Sequence, residues 1–323
     1  MPNRCMNKYK NQFAIEFAKA MQVNLPQWKN LQKSYIKKLY KEWLIGYFVG
    51  FLMGLLPGKH EHNYNFKEHL YLGIVFFVFA IYLAISIENK NYQKDIKQKL
   101  FPVLLNVFSK DIRYDSGEIS NYEYNASKLL KRSACYNTPD DRFCGTYNNV
   151  PFVVSETEII NVEKNKKNES TERRIFKGLV MHFKMKKSIN SRVLIYSKNI
   201  NNKVPKGFEK VTMESEVFNK KYNVYVRNDQ ASGDGQIEAR YLFNTVFLER
   251  FMQLQTSFRI NKMKCSVYGK SILILLETRK DLFEMNHLFM NIGDIHQYHH
   301  LFDEFASVLS FIDVLNLSSR TGL

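Results

Sequence analysis

The residues best suited to chemistry lie near the end of the sequence, in "GDIHQYHH" over 293–300. His296 and His300 are four apart, the spacing at which a helix offers two imidazoles on one face, and His299, Asp294 and Asp303 lie close by. Zinc needs a third protein ligand and an ordered outer shell. Gln297 and Tyr298 fill the positions between, so the general base of an HExxH helix is missing. The cluster therefore reads as a polar helix face, and the pair His60 and His62 is weaker still. Cys135 or Cys144 with His182 would make a thiolate and its base, but Cys144 sits in "DDRFCGTY" without a signature turn. Asp140 and Asp141 are adjacent, so on a strand or extended loop their carboxyls diverge, a poor acid–base pair. "SGDG" at 232–235 is no phosphate loop, and neither GxxxxGK[ST] nor GxGxxG occurs. This reading assigns no catalytic residue, no metal and no cofactor.

Without a site, the weight falls on the elements and the charge. Lys and Arg number 47 against 31 Asp and Glu, a net charge of +16. Residues 1–41 hold nine Lys/Arg and one acid, Glu16, directly ahead of an apolar run. That placement points to anionic lipid headgroups. No basic module interleaved with aromatics occurs, so no nucleic-acid partner is expected. The four cysteines form no CxxC pair and no disulfide framework.

Two apolar runs follow the basic lead-in. Residues 43–56 are fourteen without charge and residues 70–87 eighteen, spanning about 21 and 27 Å as helices. Lys37, Lys38 and Lys41 flank the first run, Lys90, Lys94 and Lys97 the second, and the loop between them is neutral overall. The positive-inside rule then places both termini in the cytoplasm. Trp43 and the three flanking lysines sit at the expected interface. From the first run into the loop after it, Gly46, Gly50, Gly54 and Gly58 recur every four residues. Each costs roughly 1 kcal/mol against Ala in water, but in lipid a small-residue stripe lets helix backbones approach. The stripe is read as a packing surface for the second span or for a second copy of the chain.

Upstream, two helices broken near Pro26 are expected. Trp28, Leu31, Tyr35 and Leu39 form one face, suited either to headgroups or to packing. Downstream, Ile96, Leu100, Leu104 and Phe108 continue a helix. Alternating runs at 151–164 and 174–185 predict an antiparallel strand pair, with further strands at 191–198 and 222–229. A helix is expected over 236–254, two strands about a turn at Tyr268–Gly269–Lys270, and a final helix near the C-terminus. The class is α+β: an N-terminal two-helix transmembrane hairpin, then a soluble domain with a mainly antiparallel sheet and flanking helices. The boundaries are 1–41 basic amphipathic helices, 42–88 hairpin, and 89–323 cytoplasmic domain.

Several pieces, in order, resemble one family. They are the hairpin, "DDRFCGTYNNVPFVVSETE", "IFKGL", "MESEVFNKKYNVYVRND", "EARYLFNTVFLERF" and "YGKSILILLETRKDLFE". Phe218, Tyr222, Val224, Tyr225, Asp229, Glu238, Ala239, Arg240 and Tyr241 are the most specific. Together they resemble the bacterial membrane-protein family catalogued as domain of unknown function 3137. The resemblance implies an inner-membrane location and, as partner, a LemA-type membrane protein, but no catalytic residue. "QASGDGQI", between Asp229 and Glu238, departs from the family's shorter spacing. Arg240 is expected in a structural ion pair with Asp229 or Glu238. The function expected is binding, scaffolding or sensing at the membrane, the alternative being a membrane-tethered enzyme.

Overall fold

The computed structural model describes residues 2–55, 66–115, 117–130, 135–164, 170–200, 206–227, 235–260, 262–285 and 287–320. The chain divides into two compact units: Ala14–Val103 with Met285–Tyr298, and Met1–Phe13 with Leu104–Glu284 and His299–Leu323.

The first unit is helical. Helix α1 (Pro2–Leu55) runs unbroken through Pro26, where a break was expected. A proline removes one backbone hydrogen bond. Met21 and Trp28, one on each side of it and seven apart, are both buried. Trp28 and Leu39 are buried, so the face expected to meet either headgroups or protein is a packing face. Helix α2 (Phe66–Leu105) runs antiparallel to α1. Tyr35 donates to Asp95 (2.6 Å), Lys38 to Glu88 (2.7 Å), and the Tyr47 and Phe77 rings meet at 5.8 Å, so partners on α2 descend as α1 ascends. The segment 285–298 is strapped to both helices. Gln32 donates to the Leu288 and Met290 carbonyls, Gln93 to that of Met285, and Asn89 accepts from the Leu288 N–H.

The second unit is a sheet covered on both faces. Its strands are β1 (Arg113–Asp115), β2 (Cys135–Tyr147), β3 (Val150–Lys164), β4 (Ser170–Ser197), β5 (Glu209–Val211), β6 (Tyr222–Arg227) and β7 (Lys262–Glu277). The order is β1-β2-β3-β4-β6-β5 with β7 also on β4, and every pairing is antiparallel. The runs expected as separate strands at 174–185 and 191–198 are one strand, β4. It shifts register between Lys184 and Val193, where polar residues join its apolar halves. β7 pairs with both halves, so the expected turn at Gly269 is a kink in one continuous strand. Gly269 takes a φ of +52° there, a conformation glycine adopts without penalty.

Among the described residues, five helices complete the unit: α3 (Asn121–Ser127), α4 (Glu216–Lys221), α5 (Gly235–Leu242), α6 (Thr245–Ser257) and α7 (His299–Arg320). The single helix expected over 236–254 is two. The Asn244 side chain accepts the Phe247 N–H at 2.9 Å and starts α6 afresh. On one face of the sheet Val180, Leu194, Leu273 and Leu275 pack with Ile119, Tyr124 and Leu129. On the other, Phe183 and Phe247 each meet Phe311 at 5.3 Å, and Phe143 meets Phe305 at 4.4 Å.

Candidate functional site

The helical unit turns its apolar residues outward. Leu44, Ile45, Phe48 and Leu52 of α1 are 57–66% exposed, and Phe76, Val78, Phe79 and Tyr82 of α2 are 58–67% exposed. Among the described residues one stretch is long and apolar enough to cross a membrane, 73–105 of α2. Of the glycine row, Gly50 faces Gly73: a Cβ on Gly50 would stand 3.8 Å from Phe77 Cβ and 3.9 Å from the Gly73 carbonyl. Gly46 has nothing within 4 Å, Gly54 lies in α1, and Gly58 falls outside the described residues, as do His60 and His62. Trp43, Lys37, Lys38 and Lys41 are exposed, Lys38 being paired with the buried Glu88.

In the sheet unit, Cys144 and His182 both register against Val153, on strands either side of it. They are thus two strand spacings apart, about 9–10 Å, too far for proton transfer. His182 instead faces Glu123 of α3 (3.3 Å), which also takes bonds from Lys184 (2.9 Å) and Tyr268 (2.7 Å). Burial holds the imidazole pKa down to about 4, against the pull of Glu123. This network ties α3 to β4 and β7. Cys265 is buried and its thiol pKa pushed up. His296, His299 and His300 are exposed, and among the described residues no metal-competent grouping includes them.

The strongest polar convergence lies where alternation fails. β2 and β3 pair Pro139 with Thr157 and Arg142 with Ser155, so Asp140 and Asp141 bulge opposite the single residue Glu156. A bulge breaks the up-down alternation of a strand. It brings both carboxylates together with Glu284, one oxygen from each lying within 4.8 Å of the others. The divergence expected of adjacent strand residues holds only for regular pleating, which the bulge interrupts. Asp141 is 1% exposed and accepts from the Tyr114 hydroxyl at 2.6 Å. Glu284 follows Phe283, whose φ is +53° and whose ring is buried against Phe143 at 4.8 Å. That anchored turn sets the position of Glu284. Glu156 is 3% exposed, and its Oε2 accepts the Leu282 N–H at 2.9 Å, while its Oε1 has no hydrogen-bond partner. Burial foremost raises its pKa, to about 9, with Asp140, Asp141 and Asp281 adding to the rise and the Leu282 N–H opposing it.

A separate open cleft of about 610 Å³ is lined by Lys198, Lys220, Lys221 and Arg259, with Gln255 and Thr256. Most of the residues that carried the family resemblance are buried or fasten elements together. Phe218, Tyr222, Val224, Tyr225 and Ala239 are buried. The Glu238 carboxylate accepts the N–H groups of Asn190 (3.0 Å) and Ser191 (2.9 Å), fastening α5 to β4. Arg240 is exposed, and Asp229, its expected partner, lies outside the described residues.

No curated protein matches the chain. Among solved structures, the crystal structure of the mycobacterial trehalose monomycolate transport factor A, TtfA, is similar at a TM-score of 0.33 and 11% identity, over 63% of this chain and 86% of that one. Residues 174–317 match the family described as protein of unknown function (DUF3137). That stretch, under half of the chain, holds most of β4, all of β5 to β7 and most of α7, and over it the chain is similar to this family.

Proposed function

We propose that this is an integral protein of the bacterial inner membrane, anchored by a two-span hairpin of α1 and α2 with both termini cytoplasmic, whose α+β domain serves binding or scaffolding. The observation that carries this reading is the apolar belt: large aliphatic and aromatic side chains exposed on both helices over the two uncharged runs. Soluble proteins rarely leave a contiguous apolar patch of that kind uncovered. Lys37, Lys41 and Trp43, exposed beside the belt, suit the headgroup region. The basic cleft at Lys198, Lys220, Lys221 and Arg259 supplies a surface for an anionic partner. A LemA-type membrane protein and a second copy of the chain are the protein partners this reading names. Crosslinking in intact membranes, followed by identification of the linked chain, separates them.

Carbonate extraction of membranes tests the anchor, the protein being expected to stay in the pellet. Reporter fusions test the topology. The C-terminal fusion should report cytoplasm and one inserted near Asn65 the outside. A fully soluble protein after carbonate would overturn the reading.

A further inference from the structure

We propose that the β2 bulge, β3 and the turn after β7 form a binding site for one hard divalent cation, held by carboxylate oxygens of Asp140, Asp141 and Glu284 with Glu156 Oε1 as a further donor. Three observations converge on it. Oxygens of the first three residues lie within 4.8 Å of one another, close enough for one ion to touch all three. Glu156 stands opposite the bulge in the strand register, 97% removed from solvent, with one oxygen tied to the Leu282 N–H and the other without a partner. A polar oxygen left unsatisfied at such depth is costly, and a cation between it and the bulge removes that cost. The surroundings also fix the donors before any ion arrives. Tyr114 holds Asp141 by a 2.6 Å bond, and buried Phe283 fixes the turn that presents Glu284.

The donor set names the class of ion. All four donors are carboxylate oxygens with no imidazole or thiolate among them, which suits calcium, magnesium or manganese and disfavours zinc and copper. Calcium accepts irregular coordination by several carboxylates, whereas magnesium demands near-ideal octahedral geometry and gives up its water reluctantly, so calcium is expected to bind tightest.

The test uses the full chain in detergent, stripped with a chelator and titrated calorimetrically with Ca²⁺, Mg²⁺ and Mn²⁺ in turn. Saturable uptake of one ion per chain at or below about 1 mM, with a rise in the thermal midpoint, is expected. Asp140 is exposed, so Asp140→Asn leaves folding intact and should weaken binding at least tenfold, and adding Glu284→Gln should abolish it. Glu172→Gln, on the neighbouring strand outside the cluster, should leave binding unchanged. No saturable uptake of any of the three ions, or equal uptake by the parent and the double variant, would overturn the proposal.

Discussion

In the helical unit Leu44, Phe48, Phe76 and Phe79 stand outward, more than half exposed, while in the sheet unit Asp141, Glu156 and His182 lie inside among aromatic and aliphatic side chains. Each unit thus places in one solvent what elementary hydration favours in the other. The two inversions have different remedies. Exposed apolar surface is relieved by exchanging water for hydrocarbon, which requires a continuous belt and no partner of defined geometry. Buried polar and ionisable groups are relieved only by partners at fixed distances, which requires a folded frame. The belt is accordingly built from two simple helices, whereas the acids depend on a bulge, a strand register and a strained turn.

The largest difference between the units should appear on truncating one aromatic in each. Phe143 has no exposed surface and touches Phe283 and Phe305. Phe143→Ala should destabilise the sheet unit by about 3–5 kcal/mol in chemical denaturation. Phe79→Ala, at a site 58% exposed, should change stability in detergent by less than about 0.5 kcal/mol. Equal losses would mean that the belt is covered by protein.

A charge placed on the belt probes its solvent. Val78 is 59% exposed on α2, so in water Val78→Asp would cost almost nothing. At the centre of a membrane span the same change costs about 2.5–3.5 kcal/mol of insertion free energy. A marked shift from pellet to supernatant on carbonate extraction is expected, and unchanged partitioning would break the contrast between the units.

The contrast also explains what could be read from sequence. The apolar runs were legible because an outward-facing apolar belt on two helices needs only composition and length. The pairing of 151–164 with 174–185 was legible because both stretches alternate. The acidic cluster was not, because Asp140 and Asp141 converge only through a pairing irregularity against β3, and Glu284 arrives from 143 residues away. The continuity of β4 and β7 escaped for a related reason. The "KKSIN" and "YGK" stretches look like turns locally, and only pairing between the two strands carries them through. Within "EARY", Glu238 acts as a backbone acceptor for Asn190 and Ser191, which no side-chain pattern announces.

Acid should affect the sheet unit through His182. Burial lowers its pKa from 6.5 to about 4 in the fold, so below pH 6.5 the unfolded chain takes up a proton that the folded chain refuses. Stability contributed by the neutral imidazole is complete above pH 6.5 and declines as pH falls toward 4. Glu123, its pKa lowered with Lys184 and Tyr268 bonded to it, loses stability in the same direction at still lower pH. Thermal midpoints of His182→Gln should therefore vary less between pH 6.5 and 4 than those of the parent. An identical slope would remove His182 as the cause.

The smallest effect separates two glycines that the sequence treats alike. Both lie in the uncharged run of α1, four residues apart. A side chain at Gly50 would press toward Phe77 and the Gly73 backbone, so Gly50→Leu must push the helices apart or forfeit their contact, at about 1–3 kcal/mol. Gly46 meets nothing within 4 Å. Gly46→Ala therefore gains helix propensity at no steric cost, by up to about 1 kcal/mol. Disulfide trapping between cysteines introduced at Tyr47 and Phe77, whose rings lie 5.8 Å apart, reads the contact directly. Trapping should fall in the Gly50→Leu background and persist with Gly46→Ala. If the two backgrounds behave alike, the row is a matter of composition, and close approach at Gly50 contributes nothing to holding the helices together.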